Sequence, residues 1–191
     1  MMQDQMTSGA AGQKNKTYAL AMTALMAAVT CVLAPMAIPI GPVPISFTNL
    51  AIYLSLYLLG WKRGTVSYLV YVLIGAVGVP VFSGFTGGLG KLAGPTGGYI
   101  IGFVPMAVLA GLVIDHSRNR AVQFVGMAAA TAVCYAFGTA WFCLSMDSTV
   151  SAALGLCVFP FIPGDAVKML LAITFGPMLR GRLERAGLYR G

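Results

Sequence analysis

Six apolar runs divide this chain, and its charged side chains fall almost wholly at the junctions between them. The runs cover about residues 17–36, 46–60, 64–79, 98–114, 121–144 and 150–179, the last broken at Pro160 and at Pro163-Gly164. A chain of 191 residues has too little interior to hide so much apolar surface from water. Here 58% of residues are hydrophobic and 9% charged, whereas a soluble domain carries about 25% charged residues. Lipid is the solvent that accommodates the remainder. The pattern predicts an all-α integral membrane protein with six transmembrane helices over residues 17–180. Residues 1–16 are expected as a disordered cytoplasmic tail and 181–191 as a basic cytoplasmic tail. No length is left for a separate soluble catalytic domain.

Charge placement orients the bundle. The net charge of +7 comes in small clusters: Lys14 and Lys16, Lys62 and Arg63, Arg118 and Arg120, then Arg180, Arg182, Arg185 and Arg190. With the N-terminus inside, these fall on the cytoplasmic tail, two cytoplasmic turns and the C-terminus. The exceptions among the 12 Lys and Arg residues are Lys91 and Lys168. This is the bias that sets membrane orientation, and it predicts an N-in, C-in topology. A nucleic-acid groove would need a continuous basic face with interleaved aromatics, so no nucleic-acid partner is expected. Lys14 and Lys16 before an apolar run also resemble the start of a signal peptide. That run is too long for one and no A-x-A site follows it, so a first transmembrane helix is the better reading.

The outer connections are of a different kind. Residues 35–46 and 80–97 are long, rich in Gly and Pro, and apolar, while 145–150 is short. Spans two to four are short too. Fifteen to seventeen helical residues rise about 22–26 Å, against about 30 Å of hydrocarbon. Irregular backbone at membrane depth is tolerated where protein or a cavity surrounds it. The two long outer loops are therefore expected to fold inward and cap a ligand cavity in the outer half. Small residues recurring every four positions, Gly94-Gly98-Gly102 and Gly126-Ala130-Cys134-Gly138, predict close helix contacts. Thr23 with Ala27, and Ala24 with Ala28, form a similar face on the first helix, suited either to packing in the bundle or to docking a partner.

Motifs of enzyme chemistry fail on inspection. In "GFTGGLGK" Phe85 stands where a P-loop needs its first Gly, and Leu92 follows Lys91 where Ser or Thr is required. "GLGKLA" matches a dinucleotide pattern without the strand–turn–helix around it. The five acids, Asp4, Asp115, Asp147, Asp165 and Glu184, are scattered, so no carboxylate pair is available for acid–base work. Cys31, Cys134, Cys143 and Cys157 lie within apolar runs without CxxC spacing, and His116 has no thiol neighbours. No enzyme activity, metal or cofactor is expected.

One pair remains. Between Val150 and Pro177 the charged residues are Asp165 and Lys168, in "PFIPGDAVKMLLAI". Their spacing puts them on one helix face. Asp165 is expected near the first turn of a helix restarting at Pro163-Gly164, as a cap. A structural ion pair is one reading. The other is a ligand site, because an ionisable residue at membrane depth costs about 2.5–3.5 kcal/mol and an apolar pair would often serve structure as well. An ammonium suits a carboxylate or phosphate, and a carboxylate suits N–H donors. One of each implies a small ligand with an anionic group, a donor group and otherwise apolar character. Asn49 and Thr48 in "SFTNLA", Thr86, and Thr96 and Tyr99 in "GPTGGY" are candidate helpers, and Gly87 and Gly88 let loop backbone approach a ligand. Without ligand, Asp165 and Lys168 are expected to pair with one another.

At these residues the chain resembles the BioY family, the biotin-specific S subunits of energy-coupling-factor (ECF) vitamin transporters. The resemblance rests on "GPVPISFTNLA", "GVPVFSGFTGGLGKLAGPTGGYIIGF" and "FPFIPGDAVKMLLA" and runs over about residues 17–179. It implies a six-helix protein of the cytoplasmic membrane with a biotin pocket under the outer loops. Asp165 and Lys168 match the family's PGDxxK and would contact biotin, Lys168 at its carboxylate and Asp165 at its ureido group; Asn49 matches a polar position of the second helix. The chain departs from the pattern at Thr86, near which many relatives carry Arg, and at Lys91, where an uncharged residue is usual; Lys91 is a candidate replacement for that charge. The resemblance also implies a membrane coupling subunit and two cytoplasmic ATPases as partners, docked through Thr23, Ala24, Ala27 and Ala28. Two other readings stand beside it: an S subunit for another small anionic metabolite, and a small membrane enzyme or scaffold.

Overall fold

The structure is a computed structural model and describes residues 2–39 and 42–186. Arg190 and the rest of the tail beyond Ala186 lie outside the described residues, as do Ile40 and Gly41 of the first long loop. The elements are α1 (Met2–Leu33), β1 (Ala37–Ile38), β2 (Ile45–Ser46), α2 (Thr48–Ala76), α3 (Leu89–Ala93), α4 (Gly97–His116), α5 (Arg120–Met146), α6 (Val150–Cys157) and α7 (Ile162–Arg185). Among the described residues the regular structure is helical apart from the short antiparallel β1–β2 pair, which joins Ala37 to Ser46 and Ile38 to Ile45. Four helical stretches among the described residues are long and apolar enough to cross a membrane: Lys16–Leu33, Gly97–His116, Arg120–Met146 and Ile162–Arg185.

The remaining expected segments take a different form. The second and third are the two arms of α2, broken at Gly60, whose φ of 75° and ψ of 171° are not helical. Glycine meets no Cβ penalty there. A Cβ on Gly64 would lie 3.1 Å from Leu56 Cα. Eight residues of unbroken helix would separate these positions by about 12 Å, so the arms fold back on each other. Asp115, at the end of α4, accepts the Trp61 N–H at 2.9 Å and so caps the second arm from another helix.

Other expectations need correction. The segment before residue 17, expected as a disordered tail, is helical, because α1 begins at Met2. The last apolar run is two helices, α6 and α7, with the expected break at Pro160 between them and none at Pro163-Gly164, which lies inside α7. Pro163 lies in the first turn of α7, where its missing N–H is not needed. Asp165 is not the cap of that helix. Phe161 holds the cap position without a side-chain bond, and the Asp165 N–H already donates to the Phe161 carbonyl at 2.8 Å.

The small-residue stripes bring α4 and α5 together. A Cβ on Gly98 would stand 2.2 Å from Trp141 Cβ, one on Gly102 3.2 Å from the Cys134 carbonyl, and one on Gly138 2.2 Å from the Tyr99 ring. Gly94 is not part of the helical stripe. It ends α3, and its carbonyl accepts the Trp141 indole N–H at 2.9 Å. Gly176 of α7 is pressed on Tyr57 of α2 in the same way. On α1 the expected face divides: Thr23 and Ala27 are buried against the chain itself, whereas Ala24 and Ala28 are exposed. Thr23 and Ala27 are therefore packing residues. Helix geometry explains the division, since neighbouring positions on α1 are rotated by about 100°.

The described parts of the two long loops, 35–46 and 80–97, are held by contacts with the bundle. Phe82 is fully buried and packs edge-on against Tyr71. Gly75 makes room for it, since a Cβ there would lie 2.2 Å from the Phe82 ring. The Gly84 N–H donates to the Pro35 carbonyl at 3.1 Å, which ties the second long loop to the end of the first helix.

Candidate functional site

A cavity lies among α2, α4, α5, α7 and the two long loops. Its polar centre is on α7. Asp165 and Lys168 are 6% and 7% exposed, and Lys168 Nζ stands 3.0 Å from Asp165 Oδ1. Each has a second partner. The Tyr135 hydroxyl of α5 donates to Asp165 Oδ2 at 2.6 Å, and Lys168 Nζ donates to the Ser46 carbonyl at 2.7 Å. The network thus joins α5, α7 and strand β2. A buried ion pair is better tolerated when its other lone pairs and protons have partners, and each member here has one partner besides the other, which leaves one ammonium proton and further carboxylate lone pairs open.

Around this pair are polar groups without partners in the chain. Asn49 is 3% exposed; its Oδ1 accepts the Leu50 N–H at 3.0 Å, which leaves its Nδ2 donor unused toward the cavity it lines. The Thr96 hydroxyl is buried without a partner and also lines the cavity. A buried unmade hydrogen bond costs about 1–3 kcal/mol, so the Thr96 hydroxyl favours a ligand able to satisfy it. Thr48 lines the cavity with its hydroxyl 2.8 Å from that of Ser46. Tyr99 lines it too, but its hydroxyl is engaged by the Cys157 carbonyl at 3.2 Å, so it offers mainly its ring. Tyr68, Tyr71, Phe82, Phe103 and Phe161 complete an aromatic wall. The space open to the centre of a water molecule is about 60 Å³.

The tip of the glycine-rich loop is not brought to this site. Thr86, Gly87, Gly88 and Lys91 are absent from the lining, and Ser83 is present. Thr86 is exposed and donates to the Ser83 carbonyl at 3.1 Å. A Cβ on Gly87 would meet the Val79 carbonyl at 2.3 Å, and the Gly88 N–H donates to the Gly75 carbonyl at 2.7 Å. Lys91 sits half-buried on α3. The cause is Phe82. Burial of its ring anchors the loop in the bundle at residues 82–83, and the chain turns outward at Phe85, which is 70% exposed. Ser46 and Tyr135 are functional candidates that the sequence reading passes over. A tyrosine in an apolar run requires a partner for its hydroxyl, and Tyr135 stands next to Cys134 of the small-residue stripe; that was the available signal. Nothing local marks the carbonyl of Ser46, which lies 122 residues from Lys168 in sequence.

Apolar membrane-length helices around a small, mostly aromatic cavity with one buried ion pair define a multi-pass membrane protein built to hold a small amphipathic molecule. Comparison with known proteins agrees. Residues 3–185 match the BioY family, and the chain belongs to that family. It is 33% identical to the protein named Biotin transporter BioY2 of Lactococcus lactis subsp. cremoris, over 93% of this chain and 98% of that one. It is 36% identical to the Probable biotin transporter BioY of Pyrococcus horikoshii, over 87% of this chain and 98% of that one. Among solved structures, it resembles the S-component for biotin from an ECF-type ABC transporter with a TM-score of 0.80 and 30% identity, covering 88% of this chain and 93% of that one.

Proposed function

We propose that this chain binds biotin in the cavity beside Asp165 and Lys168 and serves as the substrate-specific subunit of an ECF-type transporter that takes biotin up across the cell membrane. The observation that carries the reading is the buried Asp165–Lys168 pair, 3.0 Å apart on a cavity wall that also holds the unused amide of Asn49. Biotin combines N–H donors, a carbonyl acceptor, an apolar ring system and a carboxylate. The relatives named as biotin transporters and the biotin S-component support the same ligand. Binding residues in this reading are Asp165, Lys168, Asn49, Thr48, Thr96 and Tyr99, with Tyr135 and Ser46 added. The two arms of α2, the pair α6–α7 and the three other long helices make six spans, N-in and C-in. The loops 35–46 and 80–97 cover the site.

Energy comes from partners: a membrane coupling subunit and two cytoplasmic ATPases. The docking face on α1 is drawn on the exposed Ala24 and Ala28, where small side chains permit close helix approach. The chain itself acts as a transport component, without catalysis or a cofactor. The test is calorimetric binding of biotin to the detergent-purified chain, with other vitamins as competitors and Lys168→Ala alongside. Tight biotin binding that a folded Lys168→Ala variant loses supports ligand and site together. Preference for another vitamin moves the chain to a different S-subunit specificity. Binding that survives the substitution makes the pair structural.

A further inference from the structure

The second arm of α2 carries an exposed apolar stripe, Val66, Leu69 and Leu73, at spacings that keep to one helix face. On a span, such a face meets lipid. Val77 continues the same register and is 81% exposed, but it lies beyond the helix end at Ala76. The tip of the 80–97 loop is folded against this end. A Cβ on Gly87 would stand 2.3 Å from the Val79 carbonyl oxygen, and the Gly88 N–H donates to the Gly75 carbonyl at 2.7 Å. Phe85 and Leu89, each 70% exposed, are thereby placed at the same end of α2 as the exposed Val77 and Val79.

Phe85 has a φ of 56°, a left-handed conformation that a bulky side chain rarely adopts. The antiparallel bridge between Phe82 and Thr86 closes the turn around it. Its ring belongs to neither cluster of packed apolar side chains, so no packing within the chain offsets the strain or the exposure. Positions of this kind persist where their surroundings hold them, and they mark functional segments. Lys91 follows on α3, half-buried and without an acidic partner among the described residues. In the sequence it is the one Lys or Arg of the connections 35–46, 80–97 and 145–150.

We propose that this loop tip is a membrane anchor: Val77, Phe85 and Leu89 enter the outer leaflet at the headgroup boundary, and the Lys91 ammonium takes an anionic phospholipid headgroup. The proposal rests on the six-span, N-in reading above, which puts residues 77–93 on the outer side. Exposed apolar side chains gathered on a loop mark an interaction surface. Apolar side chains beside a lysine match the boundary between acyl chains and phosphate. Lipid is favoured over a protein partner because the patch continues the exposed stripe of α2. The anchor also accounts for a loop that keeps Phe82 in the bundle and turns its tip away from the cavity.

The test places the full chain in vesicles of phosphatidylcholine or phosphatidylglycerol. Brominated acyl chains quench tryptophan from the lipid, and acrylamide quenches it from water. Phe85→Trp and Leu73→Trp are each compared with the unsubstituted chain, in which Trp61 and Trp141 give the background. Leu73→Trp reports on the second arm of α2 and Phe85→Trp on the loop tip. The expected result is lipid quenching of the added tryptophan in both variants, with protection from acrylamide. At Phe85→Trp, phosphatidylglycerol is expected to be favoured about fivefold over phosphatidylcholine, and adding Lys91→Gln is expected to remove that preference. Acrylamide quenching of Phe85→Trp without lipid quenching, while Leu73→Trp stays in lipid, overturns the proposal alone. Protection from both quenchers also overturns it, because protein then covers the tip. A headgroup preference that is absent, or that survives Lys91→Gln, overturns the role of Lys91. Acrylamide quenching of Leu73→Trp in a folded protein overturns the span reading on which the proposal rests.

Discussion

Replacing Lys168 with Met separates the structural from the ligand-binding role of the buried pair. Lys168 and Asp165 are 7% and 6% exposed, so the substitution leaves a carboxylate whose remaining partner is the Tyr135 hydroxyl at 2.6 Å. Breaking one side of a buried ion pair is expected to cost about 3–5 kcal/mol, because an uncompensated charge stays behind. Replacing both members by apolar groups of similar volume, Asp165→Leu with Lys168→Met, is expected to be near neutral for stability. The double variant should therefore unfold at a higher temperature than Lys168→Met, and the two single effects, which sum to about 6–10 kcal/mol, should fail to add by most of that sum. Thermal unfolding in detergent, followed through Trp61 and Trp141, ranks the four proteins; calorimetry with biotin is run on each. The double variant is expected to fold and yet to bind biotin at least about a hundredfold more weakly, since both charge-assisted contacts are gone. A double variant as unstable as the sum of the singles would refute the ion-pair energetics. One that binds biotin like the unsubstituted chain would refute the ligand role.

Other expectations test neighbouring parts. Tyr135→Phe removes the hydroxyl on Asp165 Oδ2 while keeping the ring, and biotin affinity measured by calorimetry should fall by about 1–3 kcal/mol with little change in helix content. Gly138→Ala puts a methyl 2.2 Å from the Tyr99 ring; it should lower the unfolding midpoint by the equivalent of about 1–3 kcal/mol and weaken biotin binding by displacing that ring. Gly155→Ala, with nothing within 4 Å of the new Cβ, is its control and should leave both unchanged or raise stability slightly. Asp115→Ala removes the acceptor of the Trp61 N–H; it should cost about 1 kcal/mol of stability and leave biotin affinity alone, because the cap lies at the Gly60 turn and not at the cavity.

Much of this protein was legible without coordinates, and for one reason. In a chain with 9% charged residues, each charge inside an apolar run needs an explanation, so Asp165 and Lys168 stood out and their three-residue spacing put them on one face. The apolar runs, the small-residue stripe on α5, and the membrane as solvent followed from composition and period in the same way. What the sequence left open was decided by contacts between distant segments. The Ser46 carbonyl beneath Lys168 and the Tyr135 hydroxyl on Asp165 come from elements 122 and 30 residues away, and no local pattern specifies such a meeting. Thr86, Gly87, Gly88 and Lys91 looked suitable by residue type, but burial of the Phe82 ring against Gly75 holds the loop tip away from the cavity. On α1 the spacing of small residues was visible, yet only packing against the bundle divided Thr23 and Ala27, which are buried, from Ala24 and Ala28, which are not. Sequence determined the solvent, the segments and the central pair, because those depend on transfer free energies of residues one at a time. Tertiary structure alone decided which neighbours complete the site, because that depends on which faces meet.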